Sequence, residues 1–366
     1  MLYRDYGKTG KKVSILGFGG MRFKNVNDTE ECARMMLDAA EAGVNYFDTA
    51  PNYMGTKSEE VFGEAFAEFQ RRGIPFYSAT KTFKADESSI RRELEAQLHR
   101  LRVDRIDFYH VWCITTLEDW SGRKQKGVID AFVKLREEGL IEHICVSSHL
   151  IGDQIRELLM EGVFEGVLFG YSAYNFNIRQ AAFDAIRKHR LGCVVMNPLG
   201  GGIIPQNPGV FDFIKTRNDE TVVEGALAFI FSHDDINTAL VGFGTREEVA
   251  QAVKAVEQYR RVSGQDMRRI REHIKESFKD LCTGCRYCDE CPEGIPIPKF
   301  MDAYNHKLLY GNEQELLDRL RWHWDVPAAL AGNCVECELC EKLCTQHLPI
   351  MKRLREIAAR VGKSRK

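Results

Sequence analysis

Phe47-Asp48-Thr49-Ala50-Pro51-Asn52-Tyr53 is the stretch on which the reading of this chain turns. It closes a short apolar run and leads to a helical pattern that begins Lys57-Ser58-Glu59-Glu60. An acid at a strand end, with a tyrosine five residues on in the loop beyond, is the beginning of a proton donor. Tyrosine is a poor acid near neutrality, with an ordinary pKa of about 10. A nearby cation favours the phenolate and so strengthens the acid, and a carboxylate would hold that cation charged. Such a donor needs three things from the rest of the chain: a lysine, a scaffold that brings the groups together, and a reductant.

The scaffold is legible on both sides of this stretch. Short apolar strands are expected at Ile15–Gly20, Tyr46–Ala50, Phe76–Lys81, Ile106–Val111, His143–Ser148, Gly166–Tyr171, Cys193–Asn197 and Thr238–Phe243. Helical patterns separate them, at Glu30–Ala42, Ser58–Phe69, Glu87–Leu101, Val128–Glu138, Asp153–Glu161, Ile178–His189, Val222–Ser232 and Arg246–Arg260. Leu94, Leu98 and Leu101 make one apolar stripe at helical spacing; Ile129, Phe132, Val133 and Leu135 make another. Eight strands, each followed by a helix, argue for a closed parallel barrel of about 250 residues. An open doubly wound sheet is the alternative. It would carry a glycine fingerprint that opens a helix after the first strand, and Gly17-Phe18-Gly19-Gly20 is not followed by a helix start in the required place. Residues 2–15 read as a hairpin turning at Gly10.

In such a barrel the chemistry gathers at the C-terminal ends of the strands. Asp48 ends the second strand and Tyr53 lies in the loop beyond it. Lys81 ends the third, in Tyr77-Ser78-Ala79-Thr80-Lys81, and His110 lies on the fourth, in Asp107-Phe108-Tyr109-His110-Val111-Trp112. A lysine at a strand end is by itself an ordinary solvated charge. Asp, Tyr and Lys at three matched barrel positions argue for a site.

The chain has 366 residues, more than one ordinary domain, so a large domain and a smaller one are expected. Its 44% hydrophobic and 28% charged content are those of a soluble protein. Net charge is −2, with no long run of either sign, which gives no reason to propose nucleic acid or a membrane surface as partner. The N-terminal MLYRDYGKTGKKVSILGFGG lacks the apolar core of a signal peptide. No stretch approaches the roughly 20 apolar residues of a spanning helix, so a cytoplasmic protein is expected.

There are twelve cysteines, and their placement divides the chain. Cys32, Cys113, Cys145 and Cys193 sit in apolar patterns and read as small buried hydrophobes. The other eight lie between 282 and 344. The expected organisation is a barrel over 1–261, a charged connecting helix over 262–281 and a cysteine domain over 282–366. Cys282-x-x-Cys285-x-x-Cys288-x-x-Cys291-Pro292 is echoed by Cys334-x-x-Cys337-x-x-Cys340-x-x-x-Cys344. In two-cluster ferredoxins each run gives three ligands to one cluster and its last cysteine to the other. One [4Fe–4S] cluster would then use Cys282, Cys285, Cys288 and Cys344, and the other Cys334, Cys337, Cys340 and Cys291. The first run's last gap is two residues instead of three, and Thr345 stands where a proline would follow the second run. Two tetrahedral zinc sites are the alternative use of Cys-x-x-Cys pairs.

Over residues 1–260 the sequence resembles the aldo-keto reductases. The resemblance is carried by the FDTAPNY run with the SEEVFGEA helix after it, the SATK strand end, the ICVSS strand, Tyr174-Asn175, the NPLGGG loop at 197–202 and the VGFGTREEV segment. It implies that Asp48, Tyr53 and Lys81 are three of four catalytic residues. Tyr53 would protonate a carbonyl oxygen as hydride reaches carbon, with Lys81 lowering its pKa and Asp48 keeping Lys81 charged. The family's fourth member is a histidine five residues after the strand's aspartate. From Asp107 that position is Trp112, and His110 comes two residues earlier on the same side of the strand. His110 either points at the pocket from lower down or is a core histidine beneath Trp112. Trp112 would stack on a ring-bearing substrate or close the site.

The same resemblance implies a nicotinamide pocket with departures. Ser147-Ser148 stands for a Ser-Asn pair, Tyr171 for a glutamine and Met196 for an aromatic residue. Gly244, Thr245 and Arg246 match the phosphate-binding segment at a helix N-terminus. Arg246 meeting a 2′-phosphate would favour NADPH over NADH; a capping threonine followed by solvated charges is the other reading. The loops 112–127, with Trp120, and 197–219 would line the substrate pocket. With its cysteine module, the chain resembles the branch of the family that has a C-terminal ferredoxin-like extension. The implied architecture is a (β/α)₈ TIM barrel with a C-terminal α-helical ferredoxin-like domain, and the implied substrate is a small-molecule carbonyl or alcohol. Hydride carries two electrons together and each cluster takes one. With no flavin motif in the chain, a ferredoxin or a flavoprotein would be the electron partner. Two other readings stay open: a redox-sensing or electron-carrying protein with an altered barrel, and an enzyme fed through its clusters without nicotinamide.

Overall fold

Alternating apolar strands and amphipathic helices close here into a parallel barrel. The structure is a computed structural model that describes residues 1–366 except 151, 174, 175, 278, 279, 283–285 and 364–366. Two compact units divide the chain, Met1–Glu272 and His273–Lys366.

The first unit opens with an antiparallel hairpin, β1 (Tyr3–Asp5) and β2 (Lys12–Ser14), with Gly10 at a φ of +76° in its turn. The barrel strands follow: β3 (Leu16–Gly19), β4 (Tyr46–Asp48), β5 (Tyr77–Thr82), β6 (Ile106–Ile114), β7 (Ile141–Ser148), β8 (Gly166–Gly170), β9 (Gly192–Met196) and β10 (Thr238–Gly242). They pair in parallel in chain order, and β10 closes on β3. All eight coincide with the strands expected from the sequence.

Helices form the outer layer: α1 (Thr29–Glu41), α2 (Lys57–Arg72), α3 (Glu87–Leu101), α4 (Leu117–Gln125), α5 (Val128–Glu137), α6 (Gly152–Met160), α7 (Ala182–His189), α8 (Ile203–Gln206), α9 (Val222–Phe231) and α10 (Arg246–Glu257). Their starts are fixed by side chains that accept otherwise unpaired backbone N–H groups. Asp28, Asp86, Thr116 and Thr245 cap α1, α3, α4 and α10, and Thr221 forms a capping box with Glu224 on α9. Two stretches differ from expectation. The stretch 112–127 carries α4, and the helix expected over Ile178–His189 starts only at Ala182, after a 3₁₀ turn at Phe176–Arg179.

Inside the barrel, Tyr46, Ala79, Phe108, Cys145, Leu168, Val194 and Leu240 form one core with Val13 and Tyr6 of the hairpin segment. Tyr6 plugs this core, with ring centroids 4.4 Å from Phe108 and 6.2 Å from Tyr46. It fits because Gly166 and Gly192 have no Cβ. One built at either position would lie 2.2 or 2.0 Å from Tyr6 atoms. Side chains alternate along a strand, so residues two places on from this layer face inward at the C-terminal end: Asp48, Lys81, His110, Ser147, Gly170, Met196 and Gly242. The four scattered cysteines are all buried.

Helix α11 (Gly264–Ser277) leads into the second unit, which contains α12 (Ile297–Tyr310), α13 (Glu313–Asp318), α14 (Leu339–Lys342) and α15 (Ile350–Lys363). These helices surround an apolar core that includes Phe300, Met301, Leu320, Ile350, Leu354 and Ile357. Among the described residues no helix is long and apolar enough to cross a membrane.

Candidate active site and metal centre

At the C-terminal end of the barrel, Lys81 Nζ donates to Asp48 Oδ1 at 2.6 Å and to the Thr49 carbonyl at 2.8 Å. Both side chains are almost wholly buried. Burial raises the Asp48 carboxyl pKa and lowers that of the Lys81 ammonium, and their pairing opposes both shifts. The backbone around them is fastened from behind. Ser58 Oγ donates to Gly20 O at 2.7 Å and lies 2.8 Å from Thr49 Oγ1, which ties the 48–53 loop to the end of β3. Buried Glu59 accepts from Thr80 Oγ1 and Gln97 Nε2 and pairs with Arg100, while Gln97 also donates to Lys81 O. The Ser-Glu pair that opens α2 is therefore a brace for the strand ends that carry Asp48 and Lys81.

The Tyr53 ring lies 5.5 Å from Lys81 Nζ. Its phenol departs from the sequence expectation. Although part of the residue reaches solvent, the dense surroundings raise its pKa well above the ordinary value, Asp48 and Cys113 add to this, and Arg22 pulls the other way. Burial of the phenol is the largest of these effects. Tyr53 is thus held protonated at rest.

His110 lies opposite Lys81 in the β5–β6 ladder and has no exposed surface. Its Nδ1 faces the Thr80 carbonyl at 3.3 Å, and Nε2 has no hydrogen-bond partner. Burial, reinforced by Lys81, lowers its pKa to about 3, so the ring is neutral. His110 is thus a buried, neutral ring beside Lys81, one layer below Trp112 on the same strand. Trp112 takes the layer above. It meets Tyr53 edge-on at 5.7 Å and stacks on Phe83 at 4.0 Å. A shift in β6 register between Val111 and Ile114, with Cys113 at a φ of +59°, turns the strand immediately after it.

Three residues at this mouth were not singled out from the sequence. Phe83 is two residues beyond Lys81, where continued strand alternation would have placed it. Arg123, from α4, donates to Trp112 O at 2.8 Å and lies 5.9 Å from the Phe83 ring. The Arg22 side chain lies over Gly242, where a Cβ would be 2.5 Å from its Cγ.

The residues expected to hold a nicotinamide separate into two groups. Ser147 Oγ is buried, faces the barrel interior and has no hydrogen-bond partner, as is true of Asp48 Oδ2. These two atoms fit a polar ring substituent placed above them. Ser148 is buried and its Oγ accepts from Leu150 N at 3.2 Å. Tyr171 does not fit. It follows Gly170 on the outward side of the strand, is fully buried against Phe183 and Phe229, and has its hydroxyl 3.1 Å from His233 Nε2. Trp120 is likewise corrected. It packs on Phe164 and donates to Glu161, with 1% of its surface exposed, and so belongs to the helical layer instead of the pocket. At α10, Gly244 N donates to Glu248 Oε2 at 2.7 Å, Thr245 caps the helix, and Arg246 pairs with Asp38. A phosphate there would exchange with those carboxylates. Tyr174 and Asn175 lie outside the described residues.

In the second unit a small cavity is lined by Cys291, Cys334, Cys337 and Cys340, with Glu293 and Glu338 beside them. These are the four cysteines that the crossed ferredoxin pattern assigns to one cluster. Of the other set, Cys288 and Cys344 are buried in the apolar core and Cys282 packs against it; Cys285 lies outside the described residues. Asn305 grips the Cys282 backbone, accepting from its N–H at 2.7 Å and donating to its carbonyl at 2.8 Å. Leu348 N donates to Cys344 Sγ at 3.4 Å. Among the described residues no three His, Cys, Asp or Glu side chains converge as they would on a single ion.

Comparison with known proteins supports both halves. The model of the aldo/keto reductase family matches residues 15–275, and that of a 4Fe-4S dicluster domain matches residues 281–349. The uncharacterized oxidoreductase YrpG of Bacillus subtilis (strain 168) is 26% identical over 305 residues, which cover 70% of this chain and 91% of that protein. L-galactose dehydrogenase of Arabidopsis thaliana is 25% identical over 312 residues, 76% of this chain and 95% of the relative. Among solved structures, the holo form of aldo-keto reductase AKR11C1 from Bacillus halodurans superposes with a TM-score of 0.65 at 25% identity, over 74% of this chain and 96% of that one.

Proposed function

Since the chain belongs to the aldo/keto reductase family and carries a 4Fe-4S dicluster domain, we propose that it interconverts a small-molecule carbonyl and its alcohol with a nicotinamide cofactor, Tyr53 moving the proton. The observation that carries this reading is the buried Lys81–Asp48 pair under the Tyr53 ring. A solvated lysine needs no such arrangement, and a buried pair is retained at a desolvation cost.

When bound, a nicotinamide supplies or accepts the hydride. The chain's own residues do the rest. Tyr53 Oη gives its proton to the carbonyl oxygen in reduction and takes it back in oxidation, so charge does not accumulate on that oxygen. Lys81, fixed by Asp48 Oδ1 and Thr49 O, stabilises the phenolate left behind. Trp112 and Phe83 form an aromatic wall beside Tyr53 that suits a flat or apolar substrate face. Ser147 Oγ and Asp48 Oδ2 orient the polar end of the cofactor ring. Arg246 exchanging Asp38 for a 2′-phosphate would favour NADPH over NADH.

The eight cysteines would hold two [4Fe–4S] clusters by the crossed assignment, and a ferredoxin or flavoprotein would exchange their electrons. The match of a 4Fe-4S dicluster domain to residues 281–349 supports this over zinc. We place the join between barrel and cluster domain in the segment 262–281.

Tyr53→Phe tests the proton donor. Turnover of small aldehydes should fall by about 10²-fold or more, with nucleotide affinity retained; full activity in this variant would sink the proposal. A second reading is an enzyme fed through its clusters without nicotinamide. Glu248 on the Gly244 N–H and Asp38 on Arg246 favour it, and nucleotide binding separates the two.

A further inference from the structure

Arg353, on α15, is a buried cation that the reading above does not use. It is 3% exposed. Its Nη2 donates to the Asp280 carbonyl at 2.7 Å, and its guanidinium lies 4.6 Å from the centre of the Tyr304 ring. Tyr304 is itself fixed by a hydrogen bond to Glu356, and Lys307 approaches the same ring at 4.8 Å. Nη1 is buried and has no hydrogen-bond partner. A guanidinium stays charged in proteins, and burying one with an unmet N–H is costly. Such a group is held for a purpose or for a partner.

Its neighbours are the cysteines of one set. Asp280 precedes Cys282 by two residues, and the Asn305 that grips Cys282 follows Tyr304 in α12. Cys288 and Cys344 share the apolar core with Ile350 and Leu354, which flank Arg353 in the chain. Cys282 and Cys344 are also close enough for their charge to act on the guanidinium. The cavity of the other set has Glu293 and Glu338 in its lining, with no lysine or arginine among its lining residues.

We propose that Arg353 donates its Nη1–H to a sulfur of the cluster to which the crossed reading assigns Cys282, Cys288 and Cys344, and that its charge raises that cluster's reduction potential. This rests on the two-cluster reading above. A cluster that gains one electron gains one negative charge. A cation in a low-dielectric interior and an N–H bond to sulfur both favour that reduced state. The cluster beside Arg353 is then easier to reduce than it would be without that charge. Arg353 is a positioning and tuning residue; it is not a ligand.

The test is a redox titration of the anaerobically purified full chain, poised with dithionite and followed by EPR. In Arg353→Met the reduction equilibrium of one cluster should fall at least tenfold, about 59 mV for one electron, while the other cluster is unmoved. Arg353→Lys, which keeps the charge, should recover part of the shift. The exchangeable proton coupled to that cluster, seen by ENDOR in H₂O against D₂O, should vanish in Arg353→Met. If that variant does not retain its iron, Arg353→Gln serves for the same comparison. Unchanged potentials for both clusters in a fully loaded variant would overturn the proposal. Iron and sulfide counting on the wild type separates the two claims: a wild type without two four-iron clusters sinks the cluster reading itself, whereas full loading with unmoved potentials sinks only the role of Arg353.

Discussion

At the scale of single residues, the buried Asp48–Lys81 pair is the centre of the proposed chemistry and also a liability. Lys81→Met leaves a carboxylate buried without its cation, which costs about 3–5 kcal/mol. The double variant Asp48→Asn/Lys81→Met should regain most of that stability in urea unfolding while remaining inactive, which separates the fold's need for a balanced pair from the reaction's need for a charge. His110 gives a pH signature. Its folded pKa of about 3 lies below the unfolded value of about 6.5, so the unfolded chain binds the extra proton between those limits. Stability therefore falls as pH drops below about 6.5, by at most about 1.4 kcal/mol per pH unit from this one group. Urea midpoints for His110→Asn should fall less between pH 7 and 5 than those of the wild type; equal slopes would contradict the buried neutral ring. Asp48, Tyr53 and Lys81 were legible in the sequence because strand ends are easy to place and each residue type has a chemical reason to be there. Tyr171 was misread because homology of position was followed past the strand's own alternation. Leu168 and Gly170 face in, so Tyr171 faces out. The Tyr53 pKa departs from the expectation because burial of the phenol raises it, a packing effect that the sequence does not display.

At the scale of elements, the hairpin is the part whose role no strand pattern disclosed. Its turn was visible at Gly10, but the seat of Tyr6 in the barrel core depends on two glycines more than 150 residues away. Tyr6→Ala should destabilise the barrel by about 3–5 kcal/mol. Gly192→Val improves strand propensity and yet should lower the thermal midpoint, because its Cβ would lie 2.0 Å from the Tyr6 ring. An unchanged midpoint would show that the hairpin can leave its seat at little cost. Helix α4 escaped the sequence reading for a simple reason: of its nine residues only Trp120 is buried, so it has no apolar stripe. Its value lies in Arg123, which reaches the Trp112 carbonyl and the Phe83 ring. Arg123→Ala should loosen that aromatic wall and raise KM for bulky aldehydes with little change in kcat.

At the scale of the whole molecule, two units with different electron stoichiometry share one chain. On the proposed reading the barrel serves a two-electron, one-proton step at Tyr53, and the cysteine module serves single electrons. The cysteine spacing alone disclosed the second unit, because no packing pattern requires eight thiols in tandem runs. It could not disclose Arg353, whose partners come from three separate segments. In the segment proposed to meet a nucleotide, Glu248 and Asp38 occupy the groups that would meet phosphate. Everything proposed for the barrel depends on a nicotinamide reaching Tyr53. The most direct measurement is an anaerobic equilibrium titration of the cluster-loaded protein with NADPH and with NADH, followed by tryptophan fluorescence. The account predicts saturable binding of at least one nucleotide, tighter for NADPH, and unchanged in Tyr53→Phe. Binding of neither, by protein whose clusters still accept electrons from dithionite, would contradict it.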